Sequence, residues 1–164
     1  MRLLVFRHGI AEDRAADGTD ASRVLTKEGV ARTRAAARGL TRVAGAADVI
    51  LTSPKVRAVQ TAHEAARASG APVEELAELA DGPPGLALRA LAGRSEQTIM
   101  IVGHEPMLSE LVEAACTGEP AGFVDLRKAG CACVDVTLEP DGRASRGTLL
   151  WLATAKMLRA LDAG

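Results

Sequence analysis

The sequence has few aromatic residues and no long apolar run, and each shortage excludes a class of function. Its only aromatic residues are Phe6, Phe123 and Trp151, and tyrosine is absent. Proteins that read nucleic acid by base stacking need several aromatic faces, so we expect no nucleic-acid partner. No stretch approaches the roughly 18 uninterrupted apolar residues that cross a bilayer. We therefore predict no transmembrane helix and no membrane partner.

The chain also lacks an excess of charge of either sign. Its formal net charge is −1 at pH 7, so bulk electrostatic attraction to nucleic acid or to an anionic membrane is not expected. Cysteine is scarce and odd in number, and the apolar run before Arg7 is too short for a signal peptide. These features predict reduced thiols and a cytoplasmic location. Four zinc ligands are not at hand around Cys131 and Cys133, which are expected to be packed thiols.

What is present is ordinary for a globular protein. Apolar residues make up 48% of the 164-residue chain and charged residues 25%, which argues against disorder and against a fibrous protein. A chain of this length is expected to form one domain, spanning residues 1–164. A domain of that size buries enough surface to form a core without disulfides or a metal.

Short apolar runs alternate with helical patterns along the chain. Strands are predicted at residues 3–6, 48–51, 98–102, 132–138 and 148–152, the last two as a hairpin. Helices are predicted at residues 27–43, from Pro54 to Ser69, at 86–92, from Pro106 to Cys116 and at 154–161. Residues 10–23 and 74–84 are predicted loops. Such alternation is typical of an α/β fold with a mainly parallel sheet, to which the hairpin adds an antiparallel edge.

Two of the predicted helices have marked ends. Thr26 is the expected N-cap of the helix at 27–43, and Gly70 is expected to stop the helix that begins near Pro54. The first of these helices should bury a stripe of Val30, Ala37, Leu40 and Val43.

Charged and nucleophilic side chains follow three of the predicted strands. The first strand ends in Arg7-His8-Gly9, the second in Thr52-Ser53-Pro54 with Arg57 one turn later, and the third in Gly103-His104-Glu105. Ligands of open α/β sheets bind beyond the carboxyl ends of the strands, so these side chains are expected to share one cleft. Phosphoryl transfer through a histidine needs such a combination of imidazole and arginine side chains in one cleft. Arginine matches phosphoryl oxygens, and neutral imidazole is a competent nucleophile at cytoplasmic pH.

These blocks resemble the histidine phosphatase superfamily, whose fold is that of phosphoglycerate mutase. Arg7-His8-Gly9, Ser53-Pro54-x-x-Arg57-Ala58-x-Gln60-Thr61-Ala62 and Gly103-His104 stand in the family's order. A further block, Asp20-x-x-Arg23-x-Leu25-Thr26-x-x-Gly29, resembles the small bacterial SixA-type branch of phosphohistidine phosphatases. The resemblance covers essentially the whole chain. It implies a three-layer α/β fold, with a mainly parallel central sheet, an antiparallel edge and helices on both faces.

The same resemblance implies roles for individual residues. His8 is then the nucleophile that becomes transiently phosphorylated, and Arg7, Arg57 and His104 hold the phosphoryl oxygens. Arg23 matches a further arginine that lines the pocket in the SixA-type branch. Water hydrolyses the phosphoenzyme, and the resemblance implies neither a metal nor a cofactor.

Two glutamates are candidates for the general acid. The acid phosphatase branch carries Asp directly after the second histidine, where this chain has Glu105. The mutase branch uses a Glu after the second helix, and Glu78 is the nearest candidate there. Glu105 is equally consistent with a carboxylate that complements the dipole of the following helix.

Two further residues have simple structural interpretations. His63 shares helical spacing with Val56 and Val59, so it is expected to be a half-buried structural histidine. Arg23 has Asp20 three residues earlier, and a salt bridge between the two is an alternative to a role in the pocket.

The sequence thus predicts a phosphatase with a phosphohistidine intermediate, acting on phosphohistidine of a signalling or phosphotransfer protein. The connection from about residue 74 to residue 95 is short, and an open, shallow site suits a phosphorylated side chain on a protein. One alternative is a phosphatase for a small phosphorylated metabolite, such as a sugar or nucleotide phosphate. Another is a phosphate-recognition module without turnover.

Overall fold

Strands and helices alternate through the computed structural model, which describes residues 1–162. The strands are β1 (Arg2–Arg7), β2 (Val49–Thr52), β3 (Val73–Glu75), β4 (Thr98–Gly103), β5 (Cys131–Leu138) and β6 (Ala144–Ala153). The helices are α1 (Lys27–Ala44), α2 (Val56–Ser69), α3 (Glu78–Asp81), α4 (Pro84–Leu91), α5 (Met107–Thr117) and α6 (Ala155–Asp162).

The strands form one sheet in the order β3-β2-β4-β1-β5-β6. The first four strands of that order run parallel to one another. β5 pairs antiparallel with β1, and β6 pairs antiparallel with β5. The predicted parallel sheet with an antiparallel hairpin at its edge is confirmed.

Helices cover both faces of this sheet. Side chains alternate between the faces of a strand, so Leu4 and Phe6 of β1 pack among α1, α2 and α6, whereas Leu3 and Val5 pack among α4 and α5. All four side chains are fully buried, as expected for a parallel strand in the middle of a sheet. The three-layer fold that the family resemblance implied is therefore observed. None of the helices in residues 1–162 is both long and apolar enough to span a bilayer.

The predicted ends of α1 and α2 are confirmed. Thr26 Oγ1 accepts a hydrogen bond from the backbone N–H of Gly29 at 2.8 Å, which caps the first turn of α1. Gly70 ends α2 with a left-handed φ of 78°, a conformation that glycine adopts without steric cost. The predicted buried stripe of α1 is wrong at Val43, which is 50% exposed. The stripe continues instead to Ala44, which packs against the core.

The predicted loop over residues 74–84 is wrong in part. Its beginning lies in β3, which pairs in parallel with β2 through Ile50 and Val73, and its middle forms α3. β3 is a short edge strand whose two glutamates are exposed, so it has neither an apolar run nor an alternating pattern to mark it. β6 is also longer than the predicted 148–152.

The close approach of α1 to α6 gives a test of this packing. A Cβ atom on Gly39 would lie 1.8 Å from the carbonyl oxygen of Leu158. We expect Gly39→Ala to lower the free energy of unfolding by about 1–3 kcal/mol, because overpacking forces the two helices apart. Urea denaturation measures this change.

Gly85→Ala is the matched control. Gly85 lies in α4, and a Cβ atom there would meet nothing within 4 Å. This variant should keep the native stability or gain about 0.5–1 kcal/mol, since alanine favours helix. Equal losses for the two variants would contradict the proposed close packing of α1 on α6.

Candidate active site

The parallel pairing of β1, β2 and β4 places three strand ends side by side. Beyond the strands themselves, the backbone N–H of His8 donates to the carbonyl of Gly103 at 3.1 Å, and that of Ser53 donates to Val102 at 2.9 Å. His8, Ser53 and His104 therefore lie together at the carboxyl edge of the sheet. This is the edge at which ligands of open α/β sheets bind.

The His8 imidazole is buried and oriented by its own neighbour. Its Nδ1 lies 2.7 Å from the carbonyl oxygen of Gly9. A carbonyl only accepts hydrogen bonds, so Nδ1 carries the proton and the neutral ring has its lone pair on Nε2. Burial, with added repulsion from Arg57 and Arg7, lowers the pKa of His8 to about 4. His8 is thus neutral near pH 7 and chemically able to act as a nucleophile.

His104 is the second buried imidazole of the site. The two ring centroids lie 5.0 Å apart, and Nε2 of His104 is 2.8 Å from the hydroxyl oxygen of Ser53. Burial, followed by the charges of His8 and Arg57, lowers the pKa of His104 to about 3. Its Nδ1 is buried without a hydrogen-bond partner in the described chain.

Arg57 is held beside the imidazoles by Asp20. Its side chain is buried and donates to the backbone carbonyl of Asp20 at 2.6 Å and to Oδ2 at 2.9 Å. Arg23 donates to the other carboxylate oxygen of Asp20 at 2.9 Å, so the predicted Arg23–Asp20 salt bridge is present. The Arg57 guanidinium, followed by that of Arg23, holds the pKa of Asp20 well below its usual range. Arg23 is thus connected to Arg57 by the Asp20 carboxylate, which accepts hydrogen bonds from both.

Arg7, the last residue of β1, contacts the loop that precedes β5. Its Nη1 donates to the carbonyl oxygen of Leu126 at 2.7 Å. The loop of residues 118–130 that carries Leu126 is organised by the buried carboxylate of Glu113 on α5. That carboxylate accepts backbone N–H bonds of 2.7 to 2.8 Å from Ala121, Gly122 and Val124. Arg7 is therefore oriented by a loop that a single buried carboxylate shapes.

A cavity of about 560 Å³ opens beside His104, and its lining includes Glu105 and Arg57. Burial raises the pKa of Glu105, which favours its protonated form. Its Oε1 is buried without a partner in the described chain. Glu78, the other candidate acid, lies on α3 and is not part of this lining. The structure thus brings Glu105, and not Glu78, into the cleft.

The remaining predicted residues lie away from the cleft. The prediction for His63 is wrong, because its side chain is exposed on the outer face of α2. The prediction of packed thiols is confirmed: Cys131 and Cys133 are buried and unpaired, and burial raises the pKa of each thiol. Nowhere in residues 1–162 do three His, Cys, Asp or Glu side chains gather as they would around a metal ion.

Sequence reasoning missed several polar residues that shape the cleft. Ser53 contacts His104, Asp20 holds Arg57, and the Thr61 hydroxyl accepts the backbone N–H of Gly9 at 3.1 Å. All three stand inside the sequence blocks that marked the site. Their types gave no separate signal, because Ser, Asp and Thr also occupy caps and turns at these positions.

Comparison with known proteins agrees with this geometry. Residues 3–86 match the model of the histidine phosphatase superfamily, branch 1. The phosphohistidine phosphatase SixA of Escherichia coli strain K12 is 30% identical over 98% of this chain and 100% of its own. An uncharacterized protein of Picosynechococcus is 36% identical over 79% of this chain and 82% of its own.

The likeness extends to a solved structure. The protein histidine phosphatase SixA in complex with tungstate matches with a TM-score of 0.78 and 31% identity, over 95% of this chain and 98% of that chain. These similarities support phosphatase activity for the present protein. With its buried histidine pair and the sequence match over more than half its length, the chain belongs to the histidine phosphatase superfamily.

Proposed function

We propose that this protein is a phosphohistidine phosphatase, which removes the phosphoryl group from a histidine of a phosphotransfer or signalling protein. The observation that carries the proposal is the buried, neutral His8 with its unprotonated Nε2, next to His104 and Arg57. The similarity to SixA, a phosphohistidine phosphatase, points to the same class of substrate.

In this proposal His8 is the nucleophile. Its Nε2 attacks phosphorus, a bond forms between Nε2 and phosphorus, and the bond from phosphorus to the substrate nitrogen breaks. The hydrogen bond from Nδ1 to Gly9 holds the ring and stabilises the positive charge that develops on it. Water then attacks phosphorus, the bond to Nε2 breaks, and inorganic phosphate leaves.

The surrounding cations bind the transferred group. Arg7 and Arg57 present permanent positive charge to the phosphoryl oxygens, and His104 contributes a ring N–H. Arg23 acts through Asp20, whose carboxylate joins it to Arg57 and limits the orientations of that guanidinium. A bound dianion also favours protonation of nearby imidazoles, which strengthens the contact with His104.

Glu105 is the proposed general acid. Burial keeps this carboxyl group protonated to higher pH than usual, and it lines the cavity into which a leaving group would extend. It would give its proton to the leaving nitrogen in the first step and take one from the attacking water in the second. A cytoplasmic location fits the three free thiols, since that compartment is reducing.

Trapping of the phosphoenzyme tests the nucleophile. A denaturing quench during turnover of radiolabelled substrate should leave an acid-labile, base-stable phosphate on the chain. His8→Ala should abolish this label, because it removes the imidazole that we propose to carry the phosphoryl group. The exposed His63 is the control, and His63→Ala should keep the label. Label that persists in His8→Ala refutes the assignment.

Substitution of Glu105 tests the acid. Glu105→Gln should slow hydrolysis of an alkyl phosphate by about 10²–10⁴-fold, because the leaving oxygen needs a proton. Hydrolysis of phosphohistidine should fall less, since an imidazole nitrogen is readily protonated by solvent. Glu110 lines the same cavity, so Glu110→Gln is the matched control and should keep most of the rate. Equal losses in the two variants would exclude Glu105 as the acid.

The protonation state of the imidazoles can be measured directly by NMR titration of the ligand-free protein. With pKa values lowered to about 4 and about 3, His8 and His104 should show no titration between pH 5.5 and 7.5. Both pKa values lie below the value of about 6.5 for an unfolded histidine. The free energy of unfolding should therefore be unaffected by these groups above pH 6.5. It should decrease below that pH, because the unfolded chain takes up protons before the folded one does. A titration midpoint near pH 6.5 for the resonances of either histidine would contradict burial as the dominant effect on its pKa. His63→Ala removes the third imidazole and simplifies the assignment.

A further inference from the structure

A second cavity, of about 460 Å³, lies on the Arg7 side of the nucleophile. Five of the side chains that line it are cationic, and none is a carboxylate. The cations are Arg7, Arg32, Arg127, Lys128 and Arg159. We call this the basic cavity. Its walls come from the end of β1, from α1, from the loop before β5 and from the start of α6.

The charge of the basic cavity is only partly neutralised by the protein. Arg32 and Arg127 pair with Glu28 and Asp125, which lie outside the lining. Within residues 1–162 no carboxylate lies within 4.0 Å of Lys128 or Arg159. Concentrated charge of one sign in a concave site creates a strong local potential for a ligand of the opposite sign.

The cavity that contains Glu105 is different in kind. Asp20, Asp81, Glu105 and Glu110 all contribute to its lining, and its Lys55 forms an ion pair of 2.6 Å with Asp81. The cavity that His104 lines thus has more carboxylates than cations, whereas the basic cavity, which Arg7 lines, has cations and no carboxylate. A substrate with an acidic side and a neutral leaving group would be oriented by this difference.

The basic cavity is coupled to the reaction centre. Arg7 lines it, and the charge of Lys128 contributes to the lowered pKa of His8, so the two sites are electrostatically close. The hydroxyl of Thr33, which also lines the cavity, is fully buried and has no hydrogen-bond partner in the described chain.

We propose that the basic cavity binds acidic side chains that flank the phosphohistidine on the protein substrate. The inference rests on the proposed function and extends it to the partner's surface. The substrate's carboxylates pair with Arg159 and Lys128, and its phosphorylated imidazole then projects towards His8 with the leaving ring on the Glu105 side. Charge pairing of this kind gives orientation and a faster encounter, and salt weakens it.

Two matched phosphohistidine peptides test the proposal, one with Asp and Glu around the phosphohistidine and one with Asn and Gln. At low ionic strength the acidic peptide should have a kcat/KM about fivefold higher, the size expected for a well-formed ion pair. Arg159→Gln should lower the ratio of the two rates towards one, and Arg159→Glu should lower it further. The ratio cancels any change in the intrinsic activity of a variant.

Lys156→Gln is the matched control. Lys156 lies on α6 three residues before Arg159, is exposed and does not line the basic cavity. The variant loses the same charge and should keep the native ratio. A ratio unchanged in the Arg159 variants, or equally reduced in Lys156→Gln, overturns the proposal.

A second measurement separates this inference from the proposed function. An unphosphorylated acidic peptide should inhibit hydrolysis of p-nitrophenyl phosphate by the native protein, and about fivefold more weakly in Arg159→Gln. Inhibition that is independent of Arg159 overturns the inference, whatever the substrate. If inhibition depends on Arg159 but no phosphohistidine peptide is hydrolysed, the proposed function is wrong, while the basic cavity is still a binding site for acidic side chains.

A small substrate can also carry a carboxylate beside its phosphoryl group. The last experiment therefore uses a phosphorylated hydroxy acid as substrate. We expect its hydrolysis to be insensitive to Arg159→Gln, because the proposed role of Arg159 is to pair with side chains that flank the phosphohistidine of a protein. Dependence of this substrate, and not of the acidic peptide, on Arg159 would overturn the assignment to a protein partner.

Discussion

The site depends on the parallel pairing of β4 with both β1 and β2. This register continues past the strand ends through backbone bonds from His8 to Gly103 and from Ser53 to Val102. Three segments far apart in the chain are thereby placed next to each other with little freedom. A change that shifted one strand by a residue would turn its terminal side chain to the other face of the sheet.

Burial decides the chemistry of the imidazoles that this pairing brings together. Desolvation is the largest effect on the pKa of both rings. The charges of Arg57 and Arg7 add to it at His8, and those of His8 and Arg57 add to it at His104. The cations that we propose to bind a phosphoryl group thus add to the burial that keeps His8 neutral. Arg57 is in turn neutralised by Asp20, which shares its carboxylate with Arg23. Arg57 is thus paired with a carboxylate, whereas Arg7 donates to the backbone carbonyl of Leu126.

The cleft has two sides that differ in charge, and this difference bears on specificity. Glu105, the proposed general acid, lines one side, and burial raises the pKa of its carboxyl group. The cavity on the Arg7 side has five cationic side chains in its lining and no carboxylate. Under the proposed function, protonation of the leaving group and recognition of the partner would therefore belong to different cavities.

The sequence by itself determined the elements and the blocks that carry chemistry. Apolar runs such as residues 3–6 and caps such as Thr26 and Gly70 are local signals, and these elements were predicted correctly. The short edge strand β3, the exposure of His63 and the end of the α1 stripe were not, because each depends on which surface a neighbouring element covers. Likewise Arg7, His8, Arg57 and His104 could be identified from their motifs. Only the tertiary structure decided that Glu105 and not Glu78 enters the cleft, that Asp20 joins two arginines, and that five cations surround a second cavity. Those facts rest on distances between residues remote in sequence, which no local pattern contains.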